Sequence, residues 1–69
     1  MLASRLKKLR KERGNTQKEV AEFVEITERS YQSLESNEYE FNPSAKTLIG
    51  LSKYFNVTVD YLLGLSEEE

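Results

Sequence analysis

Side chains able to carry covalent chemistry are almost missing from this chain. It has no Cys and no His, so it offers no thiol nucleophile, no imidazole base and no ligand set of the kind zinc requires. Asp60 is the sole Asp. It falls in the first turn of a predicted helix, where a carboxylate offsets the positive end of the helix dipole. Glu38 and Glu40 could act as a carboxylate pair, but they fall in a predicted exposed loop. No glycine-rich phosphate loop is present. These features predict a chain that is not an enzyme and takes no metal and no cofactor. The chemistry left to it is hydrogen bonding and charge.

Two features concentrate that chemistry. On a predicted helix from Thr27 to Ser36, the 100° step between residues puts Glu28, Arg29, Gln32 and Ser33 on one side. Ser30, Tyr31 and Leu34 fall on the other side. The net charge of -2 hides a second asymmetry. Residues 1–18 hold Arg5, Lys7, Lys8, Arg10, Lys11, Arg13 and Lys18 against Glu12 alone. Residues 19–45 hold seven glutamates against Arg29 alone, and the chain closes on Glu67, Glu68 and Glu69. The basic end reads either as a solvated helix face or as a patch that faces phosphates.

The elements that would position these groups are short helices. At 69 residues the chain makes one small domain. Near this size a fold buries only about 60% of the surface its unfolded chain exposes. No disulfide is available, so the core must be compact or completed by a partner. There is no apolar run long enough to cross a bilayer and no signal peptide, which predicts a soluble cytoplasmic protein with no membrane partner.

Five helices are expected. The first runs from Leu2 to Arg13, with Leu2, Leu6 and Leu9 as its apolar stripe. Gly14 and Asn15 end it, since both tolerate the left-handed conformation. Thr16 and Glu19 form a capping box for a second helix of about two turns, whose apolar side is Val20, Ala21, Phe23 and Val24. Thr27 caps the third. The stretch from Asn37 to Pro43 reads as a loop. Ser44 caps a fourth helix that reaches Phe55, with Leu48, Leu51 and Phe55 inward. Gly50 inside it costs about 1 kcal/mol relative to Ala, which a close helix–helix contact would explain. Thr58 caps the last, with Val59, Leu62 and Leu63 as its apolar side and Gly64 at its end. Residues 1–65 make the domain, and 66–69 a flexible acidic tail.

The second and third helices, joined through Glu25 and Ile26, match a helix-turn-helix. Ala21 lets the helices approach, while Ile26, Tyr31 and Leu34 plug the space between them. Around that core the chain resembles the Xre/Cro family of bacterial and phage repressors. The matching pieces are Leu6-Lys7-Lys8-Leu9-Arg10 with Gly14, Thr16-Gln17-Lys18-Glu19-Val20-Ala21, Ile26-Thr27, Leu34-Glu35, Pro43-Ser44 and Thr47-Leu48. Phe55-Asn56-Val57-Thr58-Val59-Asp60-Tyr61-Leu62-Leu63-Gly64 completes the set. Each piece is weak, but their order and spacing together are specific, and they extend from Leu2 to Gly64.

The resemblance implies an all-α, five-helix repressor-like domain that binds double-stranded DNA, with helix 27–36 in the major groove. It places Gln17 at a phosphate, against the plainer reading of a first-turn helix residue. Thr27 either caps alone or caps and also meets backbone or a base methyl. Glu28, Arg29 and Ser33 occupy positions that reach base edges, with Gln32 beside them. Arg29 suits guanine and Glu28 suits the cytosine amine, while Gln32 suits adenine or a phosphate. Arg10 and Glu35 are expected to form an internal salt bridge between the first and third helices. The other cations of the first helix are expected to give weak long-range attraction. The family also implies a homodimer, at least on DNA, and a near-palindromic operator. The apolar end Tyr61 to Leu65 supplies a dimer contact or simply closes the core.

Three departures from the family pattern stand out. Glu25 and Asn37 replace frequent glycines, and loop 37–42 is longer than usual, with Glu38 and Glu40 where basic residues often meet phosphates. That loop is the expected site of a protein partner in the alternative reading, an interaction module of the same fold with little DNA affinity.

Overall fold

The computed structural model describes residues 2–36 and 43–69. Five helices follow in order: α1 Leu2–Arg13, α2 Gln17–Phe23, α3 Glu28–Ser36, α4 Ala45–Phe55 and α5 Val59–Leu62. No strand occurs among the described residues, so the all-α expectation holds. The expected loop 37–42 lies outside the described residues.

One local device starts the helices. The hydroxyls of Thr16, Thr27, Ser44 and Thr58 accept the backbone N–H three residues on, from Glu19, Ser30, Thr47 and Tyr61. Each satisfies a donor that has no partner inside its helix. Thr16 and Glu19 complete the expected capping box, with Thr16 N–H donating to Glu19 Oε1 at 2.7 Å.

A second device ends them. Gly14, Glu25, Asn56 and Gly64 all have positive φ. At each, the left-handed residue donates back across three residues and its successor across five, as in Asn15 N–H to Arg10 O and Ile26 N–H to Ala21 O. This is the Schellman closure. Glycine adopts the conformation freely and Asn tolerates it. Glu25, at φ 61°, has neither advantage, and a left-handed conformation there costs about 1–2 kcal/mol.

α1 packs on α3 and α5, α2 on α3 and α4, and α4 on α5. Leu6, Val20, Tyr31, Leu51 and Leu62 are fully enclosed where these helices meet. Gly50 sits where α4 passes α2: a Cβ there would stand 3.1 Å from Val24 Cγ1. This is the close contact that the glycine anticipated.

Three side chains depart from their expected faces. Phe23 is not in the core; it is 56% exposed and lies against Tyr54, ring centroids 4.8 Å apart. Within a two-turn helix Val20, Ala21 and Val24 already fill the inward arc, leaving Phe23 outside it. In α4, Thr47 is buried while Leu48 is half-buried. In α5, Tyr61 takes the inward place expected of Leu63, which is exposed.

The stretch expected to be a loose tail is engaged by α1 and by the start of α5. Arg5 Nη1 donates to the carbonyls of Tyr61 and Ser66, the latter at 2.8 Å. Its guanidinium also stacks 4.2 Å from the centroid of Tyr61 and pairs with Glu67. Thr58 N–H donates to Glu69 O at 3.0 Å. A side chain 61 residues from Ser66 supplies what local sequence could not announce.

Candidate nucleic-acid interface

The Schellman closure after α2 sets the angle at which α3 leaves it. Ile26 follows Glu25, packs on the edge of the core and holds the turn against α2. Tyr31 and Leu34 are the buried side of α3. The opposite side is thereby directed outward. Glu28, Arg29 and Gln32 are exposed and Ser33 is half-buried.

The outward groups differ in how free they are. Glu28, Arg29 and Gln32 make no side-chain hydrogen bond or ion pair with any described residue. Their donors and acceptors are available to a partner. Ser33 donates its hydroxyl to the Arg29 carbonyl at 3.3 Å and keeps only acceptor capacity. Thr27 Oγ accepts from Ser30 N–H at 3.0 Å and donates to Ser30 Oγ at 2.9 Å. It is thus committed to holding the start of α3.

Behind this face lies a polar network that joins three helices. Arg10 of α1 meets Glu35 of α3 through two bonds, Nε to Oε2 at 2.7 Å and Nη2 to Oε1 at 3.0 Å. The guanidinium also donates to Asn15 O at 3.0 Å, which fixes the α1–α2 turn. Gln17 of α2 donates Nε2–H to Glu35 Oε1 at 3.3 Å. The Glu35 side chain is 3% exposed and that of Arg10 14%.

Burial pushes the Glu35 carboxyl up. The hydrogen bonds from Arg10 and Gln17, with the Arg10 charge, outweigh burial and hold it below the ordinary range. The Tyr31 hydroxyl, buried beside the pair without a hydrogen-bond partner of its own, lowers Glu35 further. Its own titration is pushed up, first by burial and then by the neighbouring Glu35 carboxylate. Arg10 is raised above its usual value, chiefly by its bond to Glu35.

Of the sequence-expected site residues, Gln17, Gln32 and Glu35 line one shallow groove between α1, α2 and α3. Lys7 and Ser36, which the sequence reading had not singled out, line it with them. Glu28 and Arg29 stand apart at the start of α3. Lys7 had no distinguishing signal among the basic residues of α1. Only the packing of three helices separates it from the others.

A short helix, a tight left-handed turn and a second helix with a free polar face define a helix-turn-helix domain. The helix-turn-helix family model matches residues 6–62, and the chain belongs to that family. Among curated relatives, it is 42% identical over 66 residues to the HTH-type transcriptional regulator ImmR of Bacillus subtilis (strain 168). That match covers 96% of this chain and 50% of the relative. It is 40% identical over 63 residues to the SPbeta prophage-derived uncharacterized HTH-type transcriptional regulator YonR of the same strain, covering 91% of this chain and 56% of the relative. The chain thus spans about half the length of these relatives.

Among solved structures, the N-terminal DNA binding domain of SinR from Bacillus subtilis superposes with a TM-score of 0.79 at 35% identity, over 91% of this chain and 90% of that one. The DNA-binding domain of the P22 C2 repressor superposes with a TM-score of 0.80 at 27% identity, over 100% of this chain and 91% of that one. The fold is therefore that of repressor DNA-binding domains.

Proposed function

We propose that this chain is a sequence-specific double-stranded DNA-binding domain of a bacterial or phage transcription regulator, acting as a repressor. α3 enters the major groove and reads base edges with Glu28, Arg29 and Gln32. Ser33 contributes as an acceptor, and Thr27 supports the approach as the cap of α3. Gln17 contacts the phosphate backbone. The observation that carries this reading is the exposed face of α3, where Glu28, Arg29 and Gln32 keep their polar groups uncommitted among the described residues. The DNA-binding domains it superposes on support it. The reading places the protein in the cytoplasm, where bacterial DNA is.

The protein acts as a homodimer on a near-palindromic operator, with half-sites about 34–36 Å apart. Leu63 and Leu65, 39% and 75% exposed, support a contact between copies at the end of α5. Selection of duplexes from a random pool, followed by salt titration of the winner, tests both statements. A palindromic winner with a steep salt slope is the expected result. Absence of any enriched sequence at low salt would sink the reading in favour of a protein-interaction module.

A further inference from the structure

We propose that the exposed aromatic patch where the ends of α1, α2 and α4 meet is a docking surface for a partner protein that presents an acidic segment with an apolar anchor. This face takes no part in the DNA reading, so the two stand or fall separately. Phe23 of α2 is 56% exposed and Ile49 of α4 48%, and neither packs in the core. Phe23 lies against Tyr54, ring centroids 4.8 Å apart. Gly50 and Tyr54 share one row of α4, and Ile49 and Lys53 form the next row outward. Gly50 is half-buried and bears no side chain, which leaves a step in its row before Tyr54, with Val24 of α2 beneath it. Contiguous apolar surface of this kind marks sites of interaction.

The patch is ordered in advance and its free charge is positive. Tyr54 meets Phe55 edge-on with centroids 5.0 Å apart. Arg13, at the end of α1, donates to the Tyr54 carbonyl and stands 5.6 Å from its ring centroid. A surface already held in place loses little freedom when a partner binds. Aromatic rings and arginine are also the groups enriched at the centres of protein interfaces. Arg13 and Lys53 are exposed, and neither forms an ion pair with any described residue. α4 contains no carboxylate. On α2, Glu19 lies one turn before Phe23 but accepts from Thr16 N–H, and Glu22 falls about 100° further around the helix. Uncommitted cations beside apolar surface complement carboxylates that flank an apolar side chain. A duplex would satisfy the cations but set a charged backbone against Phe23 and Ile49.

The test follows the fluorescence anisotropy of a labelled peptide in which glutamates flank a leucine and a phenylalanine. The parent should bind it, and Phe23→Ala, Ile49→Ala and Lys53→Glu should each weaken binding roughly tenfold. Lys8→Glu makes the same charge change at an exposed place on α1 and should leave binding unchanged. Peptides with lysines for the glutamates, or with alanines for the leucine and phenylalanine, should bind about tenfold more weakly or worse. Phe23→Ala gives up the contact with Tyr54, so Ile49→Ala, whose side chain is outside the core, keeps the test sound if the first variant melts early. An excess of duplex DNA should not displace the peptide, because Phe23 faces α4 and not the free side of α3. No binding by the parent, equal losses in Lys8→Glu and Lys53→Glu, or displacement by duplex would overturn the docking surface. A parent dimer in sedimentation that Phe23→Ala breaks would give the patch to a second copy and overturn the acidic partner. None of these outcomes alters base reading by α3, and failure to select any duplex leaves the patch standing.

Discussion

Arg10 and Glu35 meet side-on, Nε to Oε2 at 2.7 Å and Nη2 to Oε1 at 3.0 Å, and this pair ties α1 to α3. Removing one partner leaves the other charge nearly enclosed, which costs about 3–5 kcal/mol for a buried pair. Arg10 retains some contact with water, so the lower end applies. A domain of this length has roughly 3–10 kcal/mol in all. Arg10→Ala should therefore melt far below the parent by circular dichroism. The double variant Arg10→Met with Glu35→Leu should recover much of the loss, because no lone charge remains. A double variant worse than either single one would contradict this account.

The same pair sets the response to acid. The Glu35 carboxyl is held below its ordinary value in the folded protein. A depressed acid stabilises the fold above its unfolded value, about 4.3 for Glu, and that contribution is lost as pH falls through the folded value. Melting temperature should be flat near neutrality and drop below about pH 4. Glu35→Gln should start lower and lose less over the same range. Glu19, held down by the Thr16 N–H, is fully exposed and adds little.

Gly50 and Val24 should show strong coupling. An added methyl at Gly50 would lie 3.1 Å from Val24 Cγ1, and a β-branched side chain has few rotamers to yield with. Gly50→Ala alone should destabilise. In a Val24→Ala background the same change should stabilise, approaching the helix-propensity gain of about 1 kcal/mol. Additive effects in the four-protein cycle would show that the contact is not what holds the glycine in place.

Glu25→Gly should raise stability modestly. It relieves a left-handed strain of about 1–2 kcal/mol but gives back about 0.5–1 kcal/mol through the looser unfolded chain. The expected net gain is about 0.5–1 kcal/mol by chemical denaturation. A loss would mean that the Glu25 side chain contributes something its backbone conformation does not reveal.

On DNA, Arg29→Ala should cost roughly 1–3 kcal/mol and relax preference at one base pair. Its melting temperature should stay close to the parent, since the side chain is exposed and makes no ion pair with a described residue. An equal loss on every duplex tested would reassign Arg29 from bases to phosphates.

The sequence by itself determined the parts whose cause is local. Thr16, Thr27, Ser44 and Thr58 mark helix starts because each hydroxyl reaches an amide three residues away. Gly14 and Gly64 mark ends because their backbones accept positive φ. The division of α3 into a buried and a free face follows from its 100° step, which is why Glu28, Arg29, Gln32 and Ser33 were legible as a group. What only the tertiary structure decided concerns contacts between distant segments. Periodicity gives an apolar arc but not how much of it a neighbour covers, so Phe23 lies outside on Tyr54 and Tyr61 replaces Leu63 within. The hold of Arg5 on Ser66 and Glu67 spans the chain and leaves no local mark. Lys7 is one lysine among several until α2 and α3 close against α1 and put it beside Gln17, Gln32 and Glu35. Charge and hydrogen-bonding capacity are properties of a residue, whereas what they face is set by packing.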